Sequence, residues 1–197
     1  MHQYFIVHKP FQVLSQFSSQ EGKQTLKDFF DVPLNVYPVG RLDYDSEGLL
    51  LLTDDKKLND YLLNPVNSHE REYWAQVDGA ITREAIEQIM AGVMININGR
   101  MHLTKKCYAE AFAAPLSVGD RNPPVRFRKS IPDSWLRLII TEGKNRQVRK
   151  MTAKVGYPTL RLIRYRIEGI TLENLQPGQM KMLSHTELYN LLQIKKR

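Results

Sequence analysis

Residues 40–54 read GRLDYDSEGLLLLTD, and this stretch decides the fold more than any other part of the chain. Its four consecutive leucines are a short apolar run bounded by turn-forming residues, a pattern typical of a buried β-strand. A charged cluster precedes that strand and contains Arg41, Asp43, Asp45 and Glu47. A carboxylate held at the mouth of a buried strand is a candidate catalytic group, but a solvated turn explains the same residues. The local pattern leaves both interpretations open.

The composition limits the class of protein. A chain of 197 residues with 42% hydrophobic content can bury the core of one domain, or of one domain with two lobes. The single cysteine, Cys107, excludes an internal disulfide and a zinc cluster built from several cysteines. The first apolar run, residues 4–7, is too short for a signal peptide or a membrane span. We therefore expect a soluble, cytoplasmic protein, with monomer as the default state and no membrane partner.

The positive charge is concentrated in one segment. The chain carries a net charge of +7, with a pI near 9.5. Residues 141–166 contain eight basic residues and one acidic residue, so this segment alone has the net charge of the whole chain. Such a local excess favours a face that binds a polyanion such as nucleic acid.

Periodicity and turn residues predict strands and helices without a regular βαβ alternation. The predicted strands cover residues 2–8, 49–53, 72–77, 108–113, 135–141 and 160–167. The predicted helices cover residues 25–30, 58–63, a segment capped by Thr82, residues 145–155, and a final segment from the Ser184–Glu187 capping box to Ile194. Residues 117–133, rich in glycine, proline and arginine, are predicted to form a loop. This mixture predicts an α+β fold with a mixed, mostly antiparallel sheet flanked by helices.

The acidic cluster also has partial matches to two other kinds of site. The spacing from Asp43 to Asp54 superficially matches a calcium-binding loop, but its seventh and ninth positions fall on Leu49 and Leu51, inside the leucine run. A glycosidase that uses paired carboxylates is also conceivable, although neighbouring carboxylates on a turn rarely face each other across a sugar ring. The basic surface does not suit a neutral glycan either.

A second motif, residues 142–151, reads EGKNRQVRKM. It predicts a strand, a glycine turn and a helix whose first turn carries basic side chains, which suits phosphate groups. An amphipathic helix with a solvated basic face is the alternative. Four basic residues within seven positions favour binding, and Arg149 is predicted near the core side, where a guanidinium needs a carboxylate partner.

Tyr73 lies in a predicted strand, where an aromatic residue ordinarily packs in the sheet, although it could also stack on an unpaired base. Four of the histidines have no metal-ligand spacing, and we interpret them as structural or solvent-facing: His8, His69, His102 and His185.

Together these segments resemble the RNA pseudouridine synthases, in the branch that acts on ribosomal RNA. The resemblance rests on Gly40–Asp43 followed by Gly48-Leu49, and on residues 142–151. It continues through Lys9-Pro10, Tyr73, Leu160–Arg164, and Leu175 with Pro177-Gly178, and so covers nearly the whole chain. Most members of that branch carry an N-terminal S4 RNA-binding domain, whereas the first motif here begins at residue 9. We therefore expect one catalytic domain, residues 1–197, without an S4 domain.

The resemblance implies a mechanism. A uridine is flipped out of its RNA stack, Asp43 attacks C1′ of the ribose or removes the 2′ proton, and C5 of the turned base rejoins C1′. Arg149 matches the family's basic partner of that aspartate, and Tyr73 matches the aromatic residue that packs on the base. The reaction implies no cofactor and no metal.

The implied partner is the 23S RNA of the large ribosomal subunit. The residues expected to bind RNA or to wall the pocket are Lys9, Arg41, Lys144, Asn145, Arg146, Gln147, Lys150, Arg161, Leu162 and Arg164. The loop of residues 117–133 is our candidate for target selection. The alternative function is an RNA-binding or ribosome-assembly factor that has the fold without turnover, although Asp43, Tyr73 and Arg149 are all present.

Overall fold

A computed structural model of the chain describes residues 2–115, 118–125, 132–172 and 175–194. It divides into two compact units. The first comprises Met1–His69 and Arg164–Arg197, and the second comprises Glu70–Ile163. No helix among the described residues is long and apolar enough to span a lipid bilayer.

The elements mix strands and short helices, as predicted. In chain order the strands are β1 (Tyr4–Lys9), β2 (Val13–Leu14), β3 (Gln24–Thr25), β4 (Tyr37–Pro38), β5 (Glu47–Thr53), β6 (Arg71–Asp78), β7 (Met94–Ile97), β8 (Arg100–Leu103), β9 (Tyr108–Phe112), β10 (Asp133–Ile140), β11 (Thr159–Ile167), β12 (Ile170–Thr171) and β13 (Met180–Leu183). The α-helices are α1 (Lys56–Leu63), α2 (Arg83–Ala91), α3 (Gln147–Lys154) and α4 (His185–Leu191), and 3-10 turns cover Leu26–Asp28 and Pro65–Asn67.

The first unit is built around β1 and β5. These two strands pair antiparallel, β13 pairs with the other side of β1, and β4 pairs with β5. All residues of β1 and β5 are buried, as the leucine run predicted. The core of this unit combines their side chains with those of the segment before β4: Phe5, Val7, Val13, Leu26, Phe30, Val36, Leu50 and Leu52.

The second unit is built around β10, which pairs antiparallel with β6 on one side and with β9 on the other. The alternation of β6 places Tyr73, Ala75 and Val77 on the core face and Glu72 on the opposite face. On that opposite face Arg137 binds Glu72 at 2.9 Å and Glu110 at 3.0 Å, which ties the three strands together. The strand pairings in both units confirm the mostly antiparallel α+β fold.

Two predicted helix caps are confirmed, and two predicted helices are shorter in the structure. Thr82 caps α2, because its side chain accepts a hydrogen bond from the backbone N–H of Ala85. Ser184 caps α4 by accepting from the N–H of Glu187. The helix predicted over residues 145–155 begins only at Gln147, because Arg146 has a left-handed backbone, with φ of 52°. The segment predicted as a helix over residues 25–30 is a single 3-10 turn.

The hairpin β7–β8 is a structure that the sequence analysis missed. Its strands pair antiparallel and are joined by Asn98 and Gly99, both with positive φ. An Asn-Gly pair between strand-forming residues is a strong hairpin signal and would have revealed it. The predicted loop of residues 117–133 has no regular structure over residues 118–125, while residues 117 and 126–131 lie outside the described residues.

Candidate functional site

The loop that carries Asp43 is held by backbone contacts from earlier in the chain. The hydroxyl of Ser15 accepts a hydrogen bond from the N–H of Leu42 at 3.0 Å and donates to the carbonyl of the same residue at 2.9 Å. The N–H of Gln12 donates to the carbonyl of Tyr44 at 2.9 Å, and the N–H of Ser46 donates to the carbonyl of Asp43 at 3.0 Å. The backbone on both sides of Asp43 is therefore fixed, while its side chain is half-buried. A fixed backbone limits the positions that the carboxylate of Asp43 can adopt.

Lys9 occupies the interior beside this loop. Its side chain is 0% exposed, and its ammonium donates to the carbonyls of Pro10 at 2.8 Å and Val13 at 2.7 Å. Burial lowers the pKa of Lys9 to about 7, although the nearby carboxylates of Glu47, Asp45 and Asp43 act in the opposite direction. The interior position of Lys9 argues against the predicted RNA contact and favours a structural role beneath the acidic loop.

Gly48 and Arg164 secure the start of the leucine strand. Gly48 has a φ of +110°, and a Cβ there would lie 2.4 Å from the backbone oxygen of Arg164, so this position requires glycine. The Nε of Arg164 donates to the carbonyl of Leu49 at 2.8 Å, and the side chain is 4% exposed. Arg164 therefore braces the start of the leucine strand from the interior, which argues against its predicted contact with RNA.

Tyr73 lies on the core face of β6, opposite Leu138 of β10. It is half-buried and packs against the apolar cluster of the second unit, which also contains Leu162. A tyrosine in this position keeps part of its ring accessible while the sheet fixes its orientation. Leu162 is 5% exposed and belongs to that cluster.

The basic motif is organised by a buried carboxylate that the sequence analysis did not single out. One oxygen of Glu142 accepts from the N–H of Lys105 at 2.8 Å and from the side-chain amide of Gln147 at 2.7 Å, and its other oxygen lies 3.1 Å from Nε2 of His102. The amide oxygen of Gln147 accepts from the N–H of Lys144 at 3.0 Å. Gln147 is 4% exposed, and both ends of its amide form hydrogen bonds inside the protein. It therefore holds the loop, which argues against its predicted contact with RNA.

The remaining residues predicted to bind RNA differ in exposure. Lys144, Asn145 and Arg146 are exposed on the loop before α3, and Arg41 is exposed before Asp43. On α3 itself, Lys150 is half-buried.

Arg149 and Arg161 are held by backbone carbonyls. Arg149 is half-buried and donates to the carbonyl of Thr159 at 3.3 Å. Arg161 is 5% exposed and donates to the carbonyl of Gly119 at 3.0 Å. This contact joins strand β11 to the loop proposed for target selection. An open groove of about 870 Å³ lies beside that loop, lined among others by Phe112, Arg121, Trp135 and Arg161.

The histidines interpreted above as structural or solvent-facing all have contacts, and that of His102 is with Glu142. The Nδ1 of His8 lies 2.8 Å from the carbonyl of Leu175, and that of His69 lies 2.9 Å from Glu168. His185 stacks on Tyr189 with a centroid distance of 4.0 Å. The structural interpretation of these side chains is confirmed.

Comparisons with known proteins agree with the geometry. A family model described as RNA pseudouridylate synthase matches residues 3–154. A protein of Vibrio vulnificus (strain CMCP6) named ribosomal large subunit pseudouridine synthase E is 48% identical over 179 residues, covering 91% of this chain and 74% of that protein. A protein of Bacillus subtilis (strain 168) named ribosomal large subunit pseudouridine synthase B is 32% identical over 189 residues, covering 95% and 70%.

A solved structure described as a pseudouridylate synthase superimposes with a TM-score of 0.77 at 27% identity, covering 97% of this chain and 74% of that one. This chain therefore belongs to the RNA pseudouridylate synthase family, an enzyme class that isomerises uridine within RNA. The family resemblance inferred from the two long motifs is confirmed.

Proposed function

We propose that this protein converts a specific uridine of the 23S RNA of the large ribosomal subunit to pseudouridine, with Asp43 as the catalytic carboxylate. The assignment of the substrate is supported by the 48% identity to a protein named for the large ribosomal subunit. The fixed backbone on both sides of Asp43 supports the catalytic role, because a reacting group must be held in one position.

The proposed reaction begins with extrusion of the uridine from its stack. Asp43 then attacks C1′ or removes the 2′ proton, and the N1–C1′ bond breaks. The uracil turns while still bound, and a new bond forms between C5 and C1′. As it forms, the Asp43–C1′ bond breaks or, in the other route, the proton taken by Asp43 returns to C2′. The proton then leaves C5, and N1 gains a proton. Atoms and electrons balance without an oxidant or a cofactor.

The other residues receive the roles that the family resemblance implied. Tyr73 packs on the base, which its half-buried position on a rigid strand supports. Arg149 supplies positive charge to the reacting carboxylate, and its anchoring to the carbonyl of Thr159 supports a fixed orientation. Lys144, Asn145, Arg146 and Lys150 contact phosphates, and Arg41 helps to hold the RNA open. Leu162 contributes an apolar wall.

We further propose that residues 1–197 act as one catalytic domain, as a monomer, in the cytoplasm where ribosomal RNA is assembled with its proteins. Target selection is assigned to the loop of residues 117–133, whose described part borders the groove beside Trp135. Deletion of this loop should lower the selectivity for the target uridine before it lowers the stability of the fold. Analytical ultracentrifugation of the purified protein tests whether it is a monomer.

The decisive experiment measures tritium release from large-subunit RNA labelled at C5 of uridine, because isomerisation makes C5 the glycosidic carbon and expels its tritium. Asp43→Asn should abolish release and leave RNA binding largely intact. Asp45→Asn is the matched control, since it removes the same charge two residues away. Turnover by Asp43→Asn would contradict its assignment. RNA binding without release by the wild type would instead support the binding-factor alternative.

A further inference from the structure

The hairpin β7–β8 has an unusual outward face. Its register pairs Met94 with Leu103 and Asn96 with Met101, and these four side chains share one side of the ribbon. Met94 is 41% exposed, Leu103 60% and Met101 62%. A two-stranded ribbon normally turns polar side chains to water and apolar side chains inward. Here three of the four outward side chains are large and apolar, which marks a surface for a partner.

The inward face of the hairpin is anchored in the second unit. Ile95 is 3% exposed and belongs to the core cluster, while its register partner His102 lies against the buried Glu142. The apolar outward face is therefore held on a fixed support. Its exposure follows from the register, because a strand that buries one face must present the other.

The charged residues of the hairpin segment are all basic. Arg100, Lys105 and Lys106 are exposed, and residues 93–109 contain no aspartate or glutamate. A partner that suits both properties carries negative charge and also presents flat apolar surfaces. RNA with unpaired bases has these two features, since its phosphates attract lysine and its exposed base faces pack on apolar side chains.

One carboxylate links the hairpin to the basic loop before α3. Glu142 accepts from the N–H of Lys105 at 2.8 Å and from the amide of Gln147 at 2.7 Å, and Gln147 in turn accepts from the N–H of Lys144 at 3.0 Å. The end of the hairpin and the start of the basic loop are thus held in one hydrogen-bonded unit. RNA bound along the basic loop lies within reach of the hairpin.

We propose that the outward face of the hairpin β7–β8 is a second RNA-binding surface. It packs Met94, Met101 and Leu103 against unpaired bases and places Lys105 and Lys106 on phosphates. The identity of the RNA rests on the proposed function, whereas the surface itself is defined by register, exposure and charge.

The test compares two double variants in binding to large-subunit RNA at several salt concentrations. Met101→Thr with Leu103→Thr removes apolar surface and keeps the strand propensity. Lys105→Gln with Lys106→Gln removes two charges. The matched control is Leu34→Thr with Val66→Thr, which removes two apolar side chains of the first unit that are 98% and 85% exposed. Circular dichroism and thermal melting verify the fold of each.

The apolar variant should weaken RNA binding roughly tenfold at every salt concentration and leave the salt slope unchanged. The lysine variant should reduce the magnitude of the slope by about one for each charge removed. In both, the rate of tritium release at saturating RNA should remain that of the wild type, because the substitutions change RNA affinity and leave Asp43, Tyr73 and Arg149 in place. The control should bind like the wild type.

Unchanged affinity in both variants, with normal tritium release by the wild type, would overturn the second surface and leave the proposed function standing. In another outcome the wild type self-associates and the apolar variant does not, with RNA affinity the same in both. That result would assign the face to contact with a second copy of the chain and would also overturn the proposed RNA-binding surface. Binding needs no turnover, so the surface is tested even if the wild type releases no tritium from this RNA. If the apolar variant fails to fold, the lysine variant tests the surface: a salt slope equal to that of the wild type would overturn it.

Discussion

Lys9 shows how a single buried charge makes stability depend on pH. Its pKa is lowered from 10.5 to about 7 because burial disfavours the ammonium. The unfolded chain, with a lysine of ordinary pKa, therefore binds more protons than the folded chain between these two pH values. Stability must rise with pH across this interval, and the cost of burying the charge is complete below about pH 7.

Lys9→Met should reveal this dependence, because methionine has no charge to bury. Relative to the variant, the free energy of unfolding of the wild type should increase by about 1.4 kcal/mol per pH unit between about pH 7 and pH 9. Urea denaturation of both proteins at several pH values measures the difference. Parallel stability curves would show that the lysine keeps an ordinary pKa.

Gly48 leaves no room for a side chain at the start of the leucine strand. Gly48→Ala should cost roughly 3–5 kcal/mol, because it combines strain at positive φ with a contact of 2.4 Å to the backbone of Arg164. Gly99→Ala is the control, since Gly99 also has positive φ but has nothing near its missing Cβ. That substitution should cost only about 1–2 kcal/mol. Equal costs in urea denaturation would show that the contact relaxes freely.

At the scale of elements, the loop before α3 depends on Glu142. Glu142→Ala should cost roughly 2–4 kcal/mol, because it leaves the amide of Gln147 and the N–H of Lys105 without their acceptor. Glu142→Gln should cost less, since an amide oxygen can still accept from one of these donors. Thermal denaturation of both variants measures this order, and a smaller loss in the alanine variant would contradict the bracing role.

The cap of α2 is a local feature that the sequence predicted and the structure confirms. Thr82→Ala should destabilise the protein by about 1 kcal/mol, because the N–H of Ala85 loses its acceptor. Thr82→Ser keeps that hydroxyl and should be nearly neutral. Chemical denaturation of the pair separates the cap from any effect of side-chain size.

At the scale of the whole molecule, not every basic residue in the charged segment can contribute to RNA affinity. Lys144, Arg146 and Lys154 are exposed, whereas Arg161 and Arg164 are buried and donate to backbone carbonyls. The net charge of +7 therefore overstates the number of phosphates that this segment can neutralise.

RNA binding should weaken steeply as salt increases, because each phosphate contact releases counterions. Lys144→Gln should lower the magnitude of the logarithmic salt slope by about one. Arg164→Gln should leave that slope unchanged and lower the melting temperature instead, since it removes the hydrogen bond to Leu49. Equal slopes for Lys144→Gln and the wild type would show that Lys144 contacts no phosphate.

Much of the fold could be predicted because local sequence patterns determine its elements. The leucine run, the Thr82 cap and the strand of Tyr73 each depend on residues within one element, so periodicity and capping residues locate them. The family followed from two contiguous motifs. The Asn98-Gly99 hairpin had an equally local signal and was overlooked.

The sequence by itself determined the class of fold, the family and the candidate aspartate, because these depend on residue types at short spacing. Only the tertiary structure decided which polar side chains face solvent. Ser15 reaches Leu42 across 27 positions, and Gln147 is enclosed by contacts to Glu142 and the Lys144 backbone. Lys9 and Arg164 likewise turned out to be interior. Burial is set by contacts between segments distant in the chain, and no local pattern contains that information.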